Sequence, residues 1–244
     1  MSENRLDQVM ESIIALPEDW HGAGSMSEKT LRHLTKVLGE MQPINYSVET
    51  GSGKTTLLFS HASTNHKTFA LDSGNGSISN VKASPIFNAE HVTFVEGPTQ
   101  ITMPAFDFDQ PIDVALIDGP HGYPFPDLEY YHLYHHIREG GLLLLDDIQI
   151  PTIKNIHRTL EADDMWDLLE VVDNLSFFRR TAHEGVSPTE DGWWKQGLNR
   201  ELYERNSKPP VPPTVLQRVA RKGKSVLPPR VKGALKVLVR GVEE

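Results

Sequence analysis

The sequence has no cysteine, so disulfides and thiolate metal sites are excluded, and a reducing compartment is compatible with it. It has no apolar run approaching the ~20 residues that a membrane-spanning helix needs. Its N-terminus, MSENRLDQVMESIIALPEDW, lacks the basic start and long apolar stretch of a secretion signal. A cytoplasmic location is the expectation. The chain is also short of positive charge, with a net charge of −9 over 244 residues. The shortage is uneven. From Arg205 onward ten Lys/Arg stand against Glu243 and Glu244, a net +8, which leaves −17 on the preceding residues. A body that acidic lacks the basic face that nucleic-acid binding requires, so no nucleic-acid partner is expected. What the chain does have, 38% hydrophobic and 23% charged residues, suits a folded α/β domain with appended elements.

Periodicity gives the organisation. Leu6, Val9, Met10, Ile13 and Ile14 have helical spacing and stop before Pro17. Ser27 is a plausible N-cap for a second helix that runs to about Met41. Strands are then expected at 44–49, 67–72, 91–95, 112–118 and 141–146, alternating with helices near 54–62, 76–88, 125–138 and 151–163. That alternation predicts right-handed crossovers and a Rossmann-like, doubly wound, mostly parallel sheet. Two apolar runs around Asp173-Asn174, within Trp166–Thr181, predict an antiparallel C-terminal hairpin at the sheet edge. Three segments result. Residues 1–42 form a helical lid or cap, 43–206 the main domain, and 207–244 a Pro-rich linker (SKPPVPP) with a basic amphipathic tail.

The first strand runs into SVETGSGKTT, Ser47 to Thr56. Gly-Lys-Thr invites a phosphate-loop reading on Gly51–Thr55. That loop needs a glycine where Val48 stands, inside the strand. The alternative is an acid, Glu49, followed by a short glycine turn, Gly51-Ser52-Gly53, which lets a cofactor approach the backbone closely. The second strand ends in Asp72, about 20 residues on, where an acid can bind ribose hydroxyls. The third ends in Glu96-Gly97-Pro98-Thr99.

The most informative stretch is VALIDGPHGYPFPDLEYYHLYHHIREGGLLLLDDI, Val114 to Ile148. It reads as a strand ending in Asp118, a turn with His121, a helix, and a strand ending in Asp146-Asp147. Strands of an open parallel sheet deliver their last residues to the carboxyl edge, where such folds bind ligands. Three carboxylates and an imidazole would meet there, a hard-cation site with a base beside it.

Together these motifs resemble the class I S-adenosylmethionine-dependent methyltransferases, over about residues 44–182. Within that class the chain looks like the metal-dependent small-molecule O-methyltransferases, the catechol O-methyltransferase type and, closer in wording, bacterial enzymes acting on macrolide sugars. The resemblance implies S-adenosylmethionine held by Glu49, Gly51, Ser52, Gly53, Asp72, Glu96, Gly97, Pro98, Thr99 and Asp118. It also implies a divalent cation, Mg²⁺ for an all-oxygen donor set, on Asp118, Asp146 and Asp147, with His121 as general base. The acceptor would be a hydroxyl of a sugar, glycoside or other polyhydroxylated small molecule. A phosphate-loop nucleotide-binding protein and a non-catalytic relative of the same fold stand as alternatives.

Several features admit plainer readings. Asp146-Asp147 could cap the helix that Pro151 starts. His132, His135 and His136 have i, i+3, i+4 spacing, but no fourth ligand accompanies them. Trp193 and Trp194 could line a pocket or simply pack. Trp20 and His21 sit where a lid over the cofactor would lie. The tail from Leu216 to Gly241 could dock on an anionic membrane surface, on an acidic partner, or on a second copy in a homo-oligomer.

Overall fold

The computed structural model describes residues 3–207, except residues 18, 21, 23, 25, 73 and 75 and the side chains of 3 and 4. The basic tail and His21 lie outside the described residues. Contacts divide the chain into residues 1–201 and 202–244.

Two helices come first, α1 (Glu3–Ile14) and α2 (Glu28–Glu40). Ser27 caps α2 as its sequence predicts, its hydroxyl accepting the Thr30 N–H at 3.1 Å. Then follow β1 (Ile44–Thr50), α3 (Lys54–Ala62), β2 (Ser63–Ala70), α4 (Ser77–Ala83), β3 (Val92–Glu96) and a one-turn α5 (Thr99–Thr102). The second half holds β4 (Ile112–Ile117), α6 (Phe125–Leu133), β5 (Ile137–Leu145), α7 (Pro151–Glu161), β6 (Trp166–Val172), β7 (Leu175–Arg180) and α8 (Gly197–Ser207). The seven strands form one sheet in the order β3-β2-β1-β4-β5-β7-β6. The first five pair in parallel, while β7 runs antiparallel to both β5 and β6. This is the doubly wound sheet with an antiparallel hairpin that the alternation of elements predicts.

Both faces of the sheet are covered, which is why Val114–Ile117 of β4 and the end of β5 are continuous apolar runs rather than alternating ones. Successive side chains still point to opposite faces. Leu142 and Leu144 enter one core with Leu34 and Leu38 of α2, Leu57 and Leu58 of α3, and Met10 and Ile13 of α1. Leu143 and Leu145 enter the other with Leu133 of α6 and Ile153, Ile156 and Leu160 of α7. Each such leucine contributes roughly 1.5–3 kcal/mol. Within the segment 1–42, α1 and α2 share this core with the sheet.

Several boundaries differ from the periodicity, among them β5, which starts at Ile137, and α4, which ends at Ala83. β2 starts four residues early, because the polar run Ser63–His66 pairs with β1. α6 ends at Leu133, and residues 134–136 form a turn into β5. His132, His135 and His136 thus share no helical face, and burial lowers the pKa of all three.

Candidate active site

The strand order reverses between β1 and β4, and the carboxyl ends of these strands open into a cavity of about 670 Å³. This is where open α/β sheets bind ligands. One part of its wall is Gly51, Ser52, Gly53, Gly97, Pro98 and Thr99. Another is Asp118, His121, Asp146 and Asp147. A third, which sequence reasoning did not anticipate, comes from the α2 entry and the β6–β7 turn: Ser27, Thr30, Asp173 and Asn174.

The glycine turn has a specific steric cause. Gly51 adopts φ +83°, and a Cβ there would stand 2.3 Å from the Asp118 carbonyl oxygen. Only glycine lets the β1 turn lie against the β4 turn. Behind it, Glu49 is buried and faces away from the cavity. Its carboxylate accepts the hydroxyls of Thr55 at 2.9 Å and Thr68 at 3.2 Å, and that of Thr56. His66 Nε2 lies 3.1 Å away, its ring stacked on Phe59 and its Nδ1 2.7 Å from Ser47 Oγ. Glu49 was expected to touch the cofactor. It lies outside the cavity wall because the strand end turns its side chain in beneath α3. The same network occupies the Thr55 hydroxyl, which a phosphate loop would need free for its metal ion.

The other two acids of this half are also engaged elsewhere. Asp72 accepts the backbone N–H groups of Gly74, Gly76 and Ser79 at 3.2–3.3 Å. Glu96 pairs with Lys82. Neither lines the cavity, although their neighbours Leu71 and Gly97 do.

At the β4 and β5 ends the arrangement is the reverse. His121 Nε2 is 3.2 Å from Asp147 Oδ2 and 3.9 Å from Asp118 Oδ1. Ligand atoms of Asp118, His121 and Asp147 all lie within 4.8 Å of one another. Asp146 is outside that trio, but its charge reaches it. Burial and the neighbouring charge of Asp118 push the Asp146 carboxyl up to about 7. Burial raises Asp118 to about 6 against the opposing pull of His121. The His121 imidazole is raised, chiefly by its interaction with Asp118. Asp147 adopts φ +57°, and α7 is capped by Ile150 with Pro151 in its first turn. The acidic pair is therefore not the helix cap. A cation about 2.0–2.2 Å from each donor holds donors up to ~4.3 Å apart, so a small inward movement of the trio would fit one.

Trp193 and Trp194 lie outside the cavity wall, 37% and 51% exposed. Trp20 packs against the core. Glu129 of α6 was missed, being one buried acid among the polar positions of a helix. Its carboxyl lies beneath the site, and burial pushes it up to about 7.

A family model described as a methyltransferase domain matches residues 48–148, from the end of β1 to the acidic end of β5. Among curated proteins none matches the chain. Solved structures do. A Klebsiella pneumoniae protein described as an O-methyltransferase is 16% identical over 72% of this chain and 90% of its own, with a TM-score of 0.57. The Bacillus cereus O-methyltransferase in complex with S-adenosylhomocysteine is 15% identical over 72% and 90%, with a TM-score of 0.53. MycE of the mycinamycin biosynthetic pathway, in complex with Mg and S-adenosylhomocysteine, is 12% identical over 75% of this chain and 56% of its own, with a TM-score of 0.50. Residues 48–148 match a methyltransferase domain, and the chain shares the fold of these O-methyltransferase structures.

Proposed function

We propose that this protein moves a methyl group from S-adenosylmethionine to a hydroxyl of a sugar or other polyhydroxylated small molecule, with a divalent cation, Mg²⁺ first among candidates, at the β4 and β5 strand ends. The observation that carries the reading is the meeting of Asp118, His121 and Asp147 in the same cavity as two glycine turns.

Gly51, Ser52 and Gly53 would hold the cofactor on one side and Gly97, Pro98 and Thr99 on the other, with Asp118 at the junction. Glu49 would act from beneath, by fixing the start of α3. Asp118 and Asp147 would bind the cation, and Asp146 would add charge beside them. A cation held there would lower the pKa of an acceptor hydroxyl and fix its direction. The sulfonium of S-adenosylmethionine supplies an electrophilic methyl group. His121 would take the hydroxyl proton at Nε2, which faces Asp147. The pull of Asp118 makes His121 a stronger base and keeps it protonated to higher pH. Activity should therefore rise with pH as the imidazole deprotonates.

A chelating cation favours two neighbouring oxygens on the acceptor, and a vicinal diol supplies them. Ser27, Thr30, Asp173 and Asn174 add polar groups to the same cavity, as suits a hydroxyl-rich acceptor. The likeness to a mycinamycin-pathway methyltransferase in complex with Mg supports the cation. The Thr55 hydroxyl, donated to Glu49, weighs against the phosphate-loop alternative.

Calorimetric titration of the full chain with S-adenosylhomocysteine and, separately, with ATP tests the cofactor. Binding of S-adenosylhomocysteine alone is expected, and binding of ATP alone would overturn the reading.

A further inference from the structure

Glu129 sits on α6, 1% exposed and outside the cavity wall. Both its oxygens are nevertheless used by residues that border the site. Oε2 accepts the Thr50 hydroxyl at 2.8 Å, and Oε1 accepts the Thr99 hydroxyl at 2.7 Å. Thr50 Oγ1 in turn accepts the Asp118 backbone N–H at 3.1 Å. Gly119 lies so close that a Cβ on it would be 2.3 Å from Glu129 Oε1. One carboxyl thus joins the turns after β1, β3 and β4.

The join is unusual for what it spans. β3 and β4 are separated in the sheet by β2 and β1, so no strand pairing ties the Gly97–Thr99 turn to the Asp118 loop. Thr50 and Thr99 are themselves buried, so no water replaces the carboxyl cheaply. The chain Thr99–Glu129–Thr50–Asp118 is a continuous set of hydrogen bonds from the cofactor wall to the cation wall.

We propose that Glu129 is a positioning residue that couples the two halves of the site, so that occupation of the Gly97–Thr99 turn favours the arrangement of Asp118 that binds a divalent cation, and the reverse. The inference rests on the methyltransferase reading above. Coupling of this kind is reciprocal, each ligand raising the affinity of the other by the same factor.

The test is calorimetry of S-adenosylhomocysteine binding to the full chain, with and without saturating Mg²⁺, for the wild type, Glu129→Gln and Thr50→Val. Glutamine keeps the shape but accepts at one end only, so either Thr50 or Thr99 must turn from donor to acceptor. Valine removes the middle link and leaves Glu129 in place. For the wild type, Mg²⁺ should tighten S-adenosylhomocysteine binding by about fivefold or more. In both variants each ligand should still bind, with the enhancement reduced to under about twofold. A merely structural role would lower the melting temperature and leave the enhancement intact. An enhancement that survives in either folded variant overturns the proposal, as does a wild type that binds both ligands without mutual enhancement. A wild type that binds no S-adenosylhomocysteine removes the methyltransferase reading itself, and this inference with it.

Discussion

The two halves of the cavity treat their acids in opposite ways. On the β1–β3 side, Glu49, Asp72 and Glu96 are satisfied by the protein: three threonine hydroxyls, three backbone amides and a lysine. On the β4–β5 side, Asp118 and Asp147 meet at one imidazole with Asp146 beside them; Asp147 also accepts the Gln149 amide at 2.6 Å, and Asp118 and Asp146 are raised to about 6 and about 7. Carboxylates that are satisfied shape a binding surface. Carboxylates crowded together at an energetic cost gain most from a cation. Under the proposed function, the cofactor would rest on backbone and glycine contacts and the cation on side chains.

Substitution on the two sides should separate these roles, and the largest effects belong to the cation side. Orientation of reactants can supply roughly 7–11 kcal/mol, against ~3–5 kcal/mol from a general base worth 10²–10⁴-fold. Asp147→Ala and Asp118→Ala should therefore cost more methyl transfer than His121→Ala, measured as kcat with radiolabelled S-adenosylmethionine. An inactive His121→Ala beside a largely active Asp147→Ala would break the assignment. On the other side, Glu49→Gln should act on stability first. It leaves buried hydroxyls short of acceptors at about 1–3 kcal/mol each. A lowered melting temperature is expected, with cofactor affinity changed less than in Gly51→Ala.

A subtler effect is in pH. The folded pKa values of Asp118, Asp146 and Glu129 lie above their unfolded ones, so the folded chain holds protons that the unfolded chain has lost. Their contribution to stability is unfavourable above the usual carboxylate range, and increasingly so as pH rises to about 7. A bound cation favours the ionised form and offsets this. Mg²⁺ should thus raise the melting temperature more at pH 8 than at pH 5.5, and an equal rise at both would count against the site. The smallest expected effect concerns the basic tail. The full chain should sediment with anionic liposomes more than a 1–206 truncation, and identical sedimentation would leave the tail without a membrane role.

Much of this was legible because it depends on short-range pattern. Strand alternation, the Ser27 cap and the acids at strand ends follow from local spacing and from one rule about open parallel sheets. The direction of a side chain at a strand end does not. Glu49 has the position of a cofactor ligand, but three threonines distant in sequence or on the next helix turn it inward. Glu129 has meaning only when the turns of three strands close over it. The wall made by Ser27, Thr30 and Asp173 depends on a contact between residues 146 positions apart, the 2.6 Å hydrogen bond from Ser27 to Asp173.

The central claim is that the β4–β5 acids hold a divalent cation. Titration of the full chain with Mg²⁺ at pH 8, beside Asp147→Asn, tests it without knowledge of the acceptor. One cation per wild-type chain, bound at least about tenfold more weakly by the variant, is the predicted result, a difference of about 1.4 kcal/mol. Equal binding by the two, or none by the wild type, would contradict it.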